Sequence, residues 1–190
     1  ALLTLGAEIA IQDSKKEDEM DTQLITFFRG KNVKLYLNEI PSDMSHYDMI
    51  VISPGVNPEM KYIQDAKTNG VEIIGELEIA YRIGSGNYIA ITGTNGKTTT
   101  TTLVGEIFER AKRKNFVVGN IGVAVISASI NADENAWMIT ETSSFQLETT
   151  KYFKPVISAI LNITPDHLDR HHTMEAYGAA KAKIFENQQE

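Results

Sequence analysis

The chain has 190 residues, 42% of them hydrophobic, which is enough apolar mass to bury the cores of one or two domains. Its formal charge of −7, from 18 basic and 25 acidic side chains, argues against a broad grip on nucleic acid or an anionic membrane, whose affinity comes from clustered Lys and Arg. The absence of Cys excludes disulfides, thiolate metal sites and thiol nucleophiles and suits the cytoplasm, and no apolar run approaches the roughly 20 residues that span a bilayer.

In chain order, Ala7 to Gln12 reads as a buried strand ending in the polar turn Asp13-Ser14-Lys15, with the charged stretch 15–21 as a solvated loop or helix start. The start at Ala1 leaves room for a strand and turn upstream. Met49 to Ile52 is a short apolar run closed by Ser53-Pro54-Gly55, the form of a parallel strand delivering a loop. A helix is predicted over 57–69, a strand over 71–74 and a helix over 76–83, which stops at the small residues Gly84-Ser85-Gly86. We place a domain boundary there, giving domains 1–84 and 85–190. Beyond it the pattern repeats: strand 88–92, helix 97–112 with Leu103, Ile107 and Ala111 on one face, and strands 116–118, 137–140 and 156–161. Alternating strands and helices predict an α/β protein of two Rossmann-like parallel-sheet units, with ligands at the carboxyl ends of the strands.

Thr92-Gly93-Thr94-Asn95-Gly96-Lys97-Thr98 lies between a predicted strand and helix. Gly93 and Gly96 let backbone N–H groups point at phosphate oxygens, and the helix beginning there adds its positive dipole end. Lys97 would reach the outer phosphates of ATP and the Thr98 hydroxyl a magnesium ion; Thr94, Asn95 and Thr99 complete the candidate loop. The general pattern asks for a Gly where this chain has Ile91, so only its second half is matched. Five consecutive Thr, 98 to 102, are poor helix formers, so packing must hold this helix. Glu141, at a strand end, is a candidate partner of Thr98 in holding magnesium. Ser143 and Ser144 read as caps of the next helix, and one hydroxyl is equally a candidate for substrate contact. Thr164-Pro165-Asp166 reads as a cap with a first-turn proline, which puts His167 on the first turn of a helix. His167 and His171 have the spacing of a zinc pair but no third ligand, and His171-His172 reads as solvated loop.

Taken together, Thr92 to Thr98, Gly119-Asn-Ile-Gly122, Glu141-Thr-Ser-Ser-Phe-Gln-Leu-Glu148 and Asn162-Ile-Thr-Pro-Asp-His-Leu-Asp-Arg170 resemble the Mur ligase family. The Ser-Ser-Phe-Gln-Leu-Glu form is most similar to the branch that adds D-glutamate to UDP-N-acetylmuramoyl-L-alanine in peptidoglycan precursor synthesis. The resemblance implies phosphorylation of the substrate carboxylate by ATP, attack by an amine on the acyl phosphate, and release of ADP and phosphate. It further implies that 1–84 is a UDP-substrate domain lacking its first strand and that 85–190 is an incomplete phosphate-loop ATPase-type domain. D-Glutamate would bind through a C-terminal domain absent from this chain, which is therefore expected to be inactive alone.

By the same resemblance, Lys97, His167 and Lys181 are the catalytic candidates. Two magnesium sites are implied, drawing on Thr98, Glu141, His167 and Lys181, the last as a carbamate that turns a +1 group into a −1 oxygen ligand. Within Ala179-Ala-Lys-Ala-Lys183 the spacing leaves open whether Lys181 or Lys183 is meant. Ser14, Lys15, Gly55, Asn120 and Ser143 are the implied substrate contacts, although Lys15 also reads as ordinary solvated surface. Three competing functions remain at this level: an amide ligase of the folylpolyglutamate type, an ATP-binding switch without turnover, and a dinucleotide oxidoreductase. The last is disfavoured because its glycine fingerprint is missing.

Overall fold

The computed structural model describes residues 1–188. They pack as two compact units, Ala1–Asp48 with Glu59–Glu72, and Met49–Pro58 with Ile73 onward.

In the first unit, β1 (Ala10–Asp13) pairs in parallel with β2 (Lys34–Leu37), Ala10 opposite Lys34 and Asp13 opposite Leu37, joined by α1 (Thr22–Gly30). The Asp21 carboxylate caps α1 by accepting from Gln23 N at 2.7 Å, and the helix buries Ile25. β1 begins three residues later than expected and is only partly buried, because Gly6 turns the chain left-handed and Ala7 N bonds back to Leu2 O. β3 (Met49–Ile52) and β4 (Glu72–Gly75) form a separate two-stranded sheet that, from Ile73 on, belongs to the second unit. The helix expected over 57–69 is α2 (Lys61–Thr68) only, since Pro58 disfavours helical geometry at Asn57. Ile63 and Ala66 are its buried face.

The second unit contains α3 (Glu76–Ile83), β5 (Asn87–Thr92), α4 (Lys97–Arg110), β6 (Asn115–Gly119), α5 (Val125–Ser129), β7 (Trp137–Glu141), α6 (Ser144–Glu148), β8 (Ile157–Ile160), α7 (Leu168–His171) and α8 (Met174–Ala182). Its sheet has the order β6-β7-β5-β8 and every neighbouring pair is parallel, as the strand–helix alternation predicts. Period-two alternation sends Tyr88, Ala90 and Met138 into one core with Leu77, Val125, Leu147 and Phe153, and Ile89, Ile91 and Ile139 into the other with Val104, Phe108 and Trp137. Residues 73–83, expected with the first domain, pack here: Leu77 and Ala80 belong to the larger core, and the buried Glu78 carboxylate accepts from the backbone N–H groups of Lys151, Tyr152 and Phe153.

The face of α4 corrects the sequence reading. Leu103 and Ile107 are 58% and 55% exposed, whereas Thr101 and Gly105 are buried and Val104 and Phe108 pack on the sheet. A Cβ at Gly105 would stand 2.4 Å from Val117 Cγ2, so the glycine lets helix and strand approach closely. The Thr run is accommodated because Thr100 and Thr101 donate their hydroxyls to the carbonyls of Gly96 and Lys97, at 2.9 and 2.8 Å.

Candidate active site

The loop between β5 and α4 is held from outside. Asn162, at the end of the neighbouring strand β8, accepts from Thr94 N through its carbonyl at 3.0 Å. Its side chain accepts from Asn95 N and donates to Asn95 O, both at 2.9 Å. Thr94 Oγ1 donates to Thr164 O at 3.1 Å and accepts from Thr164 N at 3.0 Å. Its single proton being spent, the Tyr177 hydroxyl, 3.2 Å away, must be the donor in their contact. Gly96 caps α4 at φ 83, and Gly93 at φ 152 stands where a Cβ would lie 3.1 Å from Leu161 Cβ. Both positions therefore favour glycine.

Two ammonium groups converge on one carbonyl. Lys97 Nζ donates to Gly93 O at 3.0 Å and to Thr94 O at 2.9 Å, and Lys181 Nζ donates to Gly93 O at 2.9 Å. Lys181 is 2% exposed and lies 4.5 Å from the centre of the Tyr177 ring, one helical turn before it on α8. Burial, and secondly the charge of Lys97, push its pKa down to about 8. Lys183 instead donates to the carbonyls of Glu148 and Thr150 at the end of α6. Of the two lysines left open by the sequence, Lys181 is the one at the phosphate loop.

Glu141 ends β7 with 2% exposure. Its carboxylate accepts from Thr98 Oγ1 at 2.8 Å and from Asn120 Nδ2 at 3.1 Å, while its carbonyl accepts from Asn120 N at 2.9 Å. A hydroxyl and a carboxylate in contact beside a phosphate loop are hard oxygen donors suited to magnesium. Thr99, next to Thr98, is exposed.

The remaining candidates are placed less tightly. His167 lies just before α7, not on its first turn: it has φ 52, is half-exposed, packs at 4.9 Å from the Phe145 ring, and has Nε2 3.4 Å from Asp166 Oδ2. Pro165 lies in the preceding loop because α7 begins only at Leu168. Among the described residues no three His, Asp or Glu side chains cluster as a metal site. The four expected ligands accordingly fall into the contacting pair Thr98–Glu141 and two residues, His167 and Lys181, that both lie against the Tyr177 ring, 6.4 Å from His167 centre to centre, and near the Asp166 carboxylate. Ser143 is the cap of α6: its Oγ accepts from Gln146 N at 3.2 Å, and Gln146 Oε1 accepts from Ser143 N at 2.9 Å. Ser14 and Lys15 are exposed beyond β1 in the first unit, and Gly55 is exposed in a turn of the second.

His171 overturns its reading as solvated loop. It is 6% exposed, because the single turn of α7 carries it inward. Asn162, Tyr177 and Arg170 are further site residues that motif reading left without a role. Helical spacing offered a signal for one of them, since Tyr177 stands four before Lys181. Arg170 reaches Val56 O at 3.3 Å and Glu148 Oε2 at 2.8 Å.

A parallel sheet with helices between its strands and a glycine loop leading from a strand end into a helix defines an α/β protein of the phosphate-loop type of fold. Residues 91–190 match the Mur ligase middle domain and residues 2–75 the MurD-like N-terminal domain of Mur ligases. The chain belongs to the Mur ligase family. It is 47% identical over 194 residues to the UDP-N-acetylmuramoylalanine–D-glutamate ligase of Alkaliphilus oremlandii, covering 98% of this chain and 42% of that protein. With the enzyme of the same name from Clostridioides difficile it shares 50% over 185 residues, covering 97% and 41%. The chain thus spans about two fifths of the length of these curated relatives. The solved UDP-N-acetylmuramate-alanine ligase of Thermotoga maritima has the same fold, with a TM-score of 0.51 at 20% identity over 98% of this chain and 43% of that one.

Proposed function

We propose that this chain is the nucleotide-binding part of an ADP-forming amide ligase that adds D-glutamate to UDP-N-acetylmuramoyl-L-alanine through an acyl phosphate. The reading draws its substrate from the names of the two relatives and its chemistry from one observation, the convergence of Lys97 and Lys181 on the Gly93 carbonyl beside the Thr98–Glu141 pair. Function in building the cell wall, and through it in cell shape and division, follows from the same assignment, as does a cytoplasmic location.

In this reading the N–H groups of residues 96–98 at the start of α4 bind the phosphates of ATP, those of Thr94 and Asn95 being given to Asn162, and Lys97 leaves its two loop carbonyls for the γ-phosphate. Thr98 and Glu141 would hold magnesium, which when bound offsets the charge of a carboxylate meeting a phosphate. His167 and Lys181 would hold a second magnesium. Carbon dioxide adding to the neutral Lys181 amine, with loss of a proton, gives the carbamate that suits the lysine to that role. In the second unit Ser143, Gly55 and Asn120, which is already bonded to Glu141, are the proposed substrate contacts, and in the first unit Ser14 and Lys15 are those proposed for a uridine diphosphate group. The attacking amine then displaces phosphate from the acyl phosphate to form the amide. We place the domain boundary between the stretches matching the two family domains, residues 2–75 and 91–190, on the N-terminal side of α3, whose Leu77 and Ala80 pack in the second unit's core.

Calorimetry with ATP and magnesium, and separately with UDP-N-acetylmuramoyl-L-alanine, tests the reading. Heat with both is expected. Heat with ATP alone, from folded protein, would reduce the assignment to an ATP-binding module. D-Glutamate-dependent ADP release by the full-length protein tests the amino-acid specificity.

A further inference from the structure

We infer that His171, held between Ser144 and Glu148, is a positioning residue that fixes α7 against α6 and through it the direction of His167. The inference rests on the ligase reading above for its kinetic consequence, and on geometry for everything else.

The His171 side chain is 3% exposed. Its Nε2 lies 2.9 Å from Ser144 Oγ and its Nδ1 3.2 Å from Glu148 Oε1, both on α6. The ring stacks on Phe145 at 5.4 Å and 19° and tilts against Tyr177 at 5.1 Å. A carboxylate can only accept, so the 3.2 Å approach of Glu148 favours the tautomer with the proton on Nδ1, which leaves Nε2 to accept from the Ser144 hydroxyl. Burial, above all, lowers the pKa of the ring, with the positive charges of Arg170, His167 and Lys181 adding to it and Glu148 opposing. The other oxygen of Glu148 takes Arg170 at 2.8 Å, so two successive residues of α7 are moored to one side chain of α6.

The mooring is needed. A single helical turn is not stable by itself, and α7 is four residues long. The residues flanking it, His167 and His172, have φ of 52 and 66, in the left-handed region that costs a non-glycine residue roughly 1–2 kcal/mol. Such strain persists only where neighbours over-determine it. A Ser–His–carboxylate line also suggests nucleophilic catalysis, but Ser144 is 2% exposed and no substrate carbonyl can reach it.

The test compares the full-length ligase with its His171→Ala, His171→Gln and Ser144→Ala forms. His171→Ala is expected to lower kcat and raise the magnesium needed for half activity, each roughly 10- to 100-fold as for residues that orient metal-site groups, with KM for ATP unchanged. His171→Gln, whose amide can replace the Nε2 contact, should recover part of both losses. Ser144→Ala, which removes one hydrogen bond, should move them the same way by less and decides the matter where His171→Ala does not fold. In metal-free wild type, the ¹⁵N signature of the imidazole should show the proton on Nδ1. Unchanged kcat and magnesium requirement, a loss that follows the unfolding temperature alone, or a proton on Nε2 would each overturn the inference. Absence of D-glutamate-dependent turnover in wild type sinks the ligase reading instead, while the tautomer still tests the geometry.

Discussion

Thr98 Oγ1 donates to Glu141 Oε2 at 2.8 Å, joining the first turn of α4 to the end of β7 across 43 residues of sequence. The contact brings the phosphate loop and the strand-end carboxylate to one point.

Glu141→Gln separates charge from shape there. The amide can still accept from Thr98 through its oxygen, so the unfolding temperature should change little. Magnesium-dependent ATP binding, followed by calorimetry, should weaken at least about 10-fold. Equal affinity with and without the negative charge would remove Glu141 from metal binding. Glu141→Ala is expected to cost more in stability, about 1–3 kcal/mol, since Thr98 and Asn120 both lose their acceptor.

Lys181→Ala in the full-length protein should abolish turnover while ATP binding largely survives, because Lys97 remains to hold the phosphates. Lys183→Ala should leave turnover near wild type and lower the melting temperature, as its ammonium caps the carbonyls of Glu148 and Thr150. An active Lys181→Ala enzyme would take the lysine out of the mechanism.

The depressed pKa of Lys181 makes stability depend on pH. A lysine at about 8 in the folded chain and near its usual 10.5 when unfolded means the unfolded state binds more protons between those values, so stability rises with pH across this window. The gain is on the order of 3 kcal/mol, and the full penalty is present below pH 8. Denaturant titrations of wild type and Lys181→Met at pH 7.5 and 10, in metal- and carbonate-free buffer, should show their stability difference shrinking as pH rises. A constant difference would contradict the shift.

Gly119→Ala should be severe. A Cβ there would stand 2.1 Å from the Glu141 carbonyl oxygen, and the residue has φ 117. We expect a loss of about 2–5 kcal/mol by denaturant unfolding, together with displacement of Glu141. Gly122→Ala, at φ 74 with open space around it, should cost only about 1–2 kcal/mol.

The exposed face of α4 gives a direct check on its orientation. Leu103→Ser in this chain should shift stability by no more than about 0.5 kcal/mol, against about 2–3 kcal/mol for Phe108→Ala, which empties a contact with Trp137. A reversed order would restore the face first read from the sequence.

That helix shows where sequence reading stops. Its start at Lys97, the strand before it and the glycines of the loop were legible because an apolar run followed by glycines and a helix marks a strand-to-helix turn. Its buried face was not. Leu103, Ile107 and Ala111 form an apolar row by spacing alone, but contact with Val117 requires a residue without a side chain, and that selects the row of Thr101, Val104, Gly105 and Phe108.

By itself the sequence determined the parallel α/β plan and the glycine loop between strand and helix and marked Glu141 as a strand-end candidate, since period and motif order are properties of the chain; the choice between Lys181 and Lys183 it left open. Only tertiary structure decided which lysine meets Gly93, that Asn162 and Tyr177 clamp the loop, and that His171 is buried. The reason is distance along the chain: Lys181 bonds Gly93 across 88 residues and His171 meets Ser144 across 27, and contacts at such separations are set by how strands and helices pack, which no local pattern encodes.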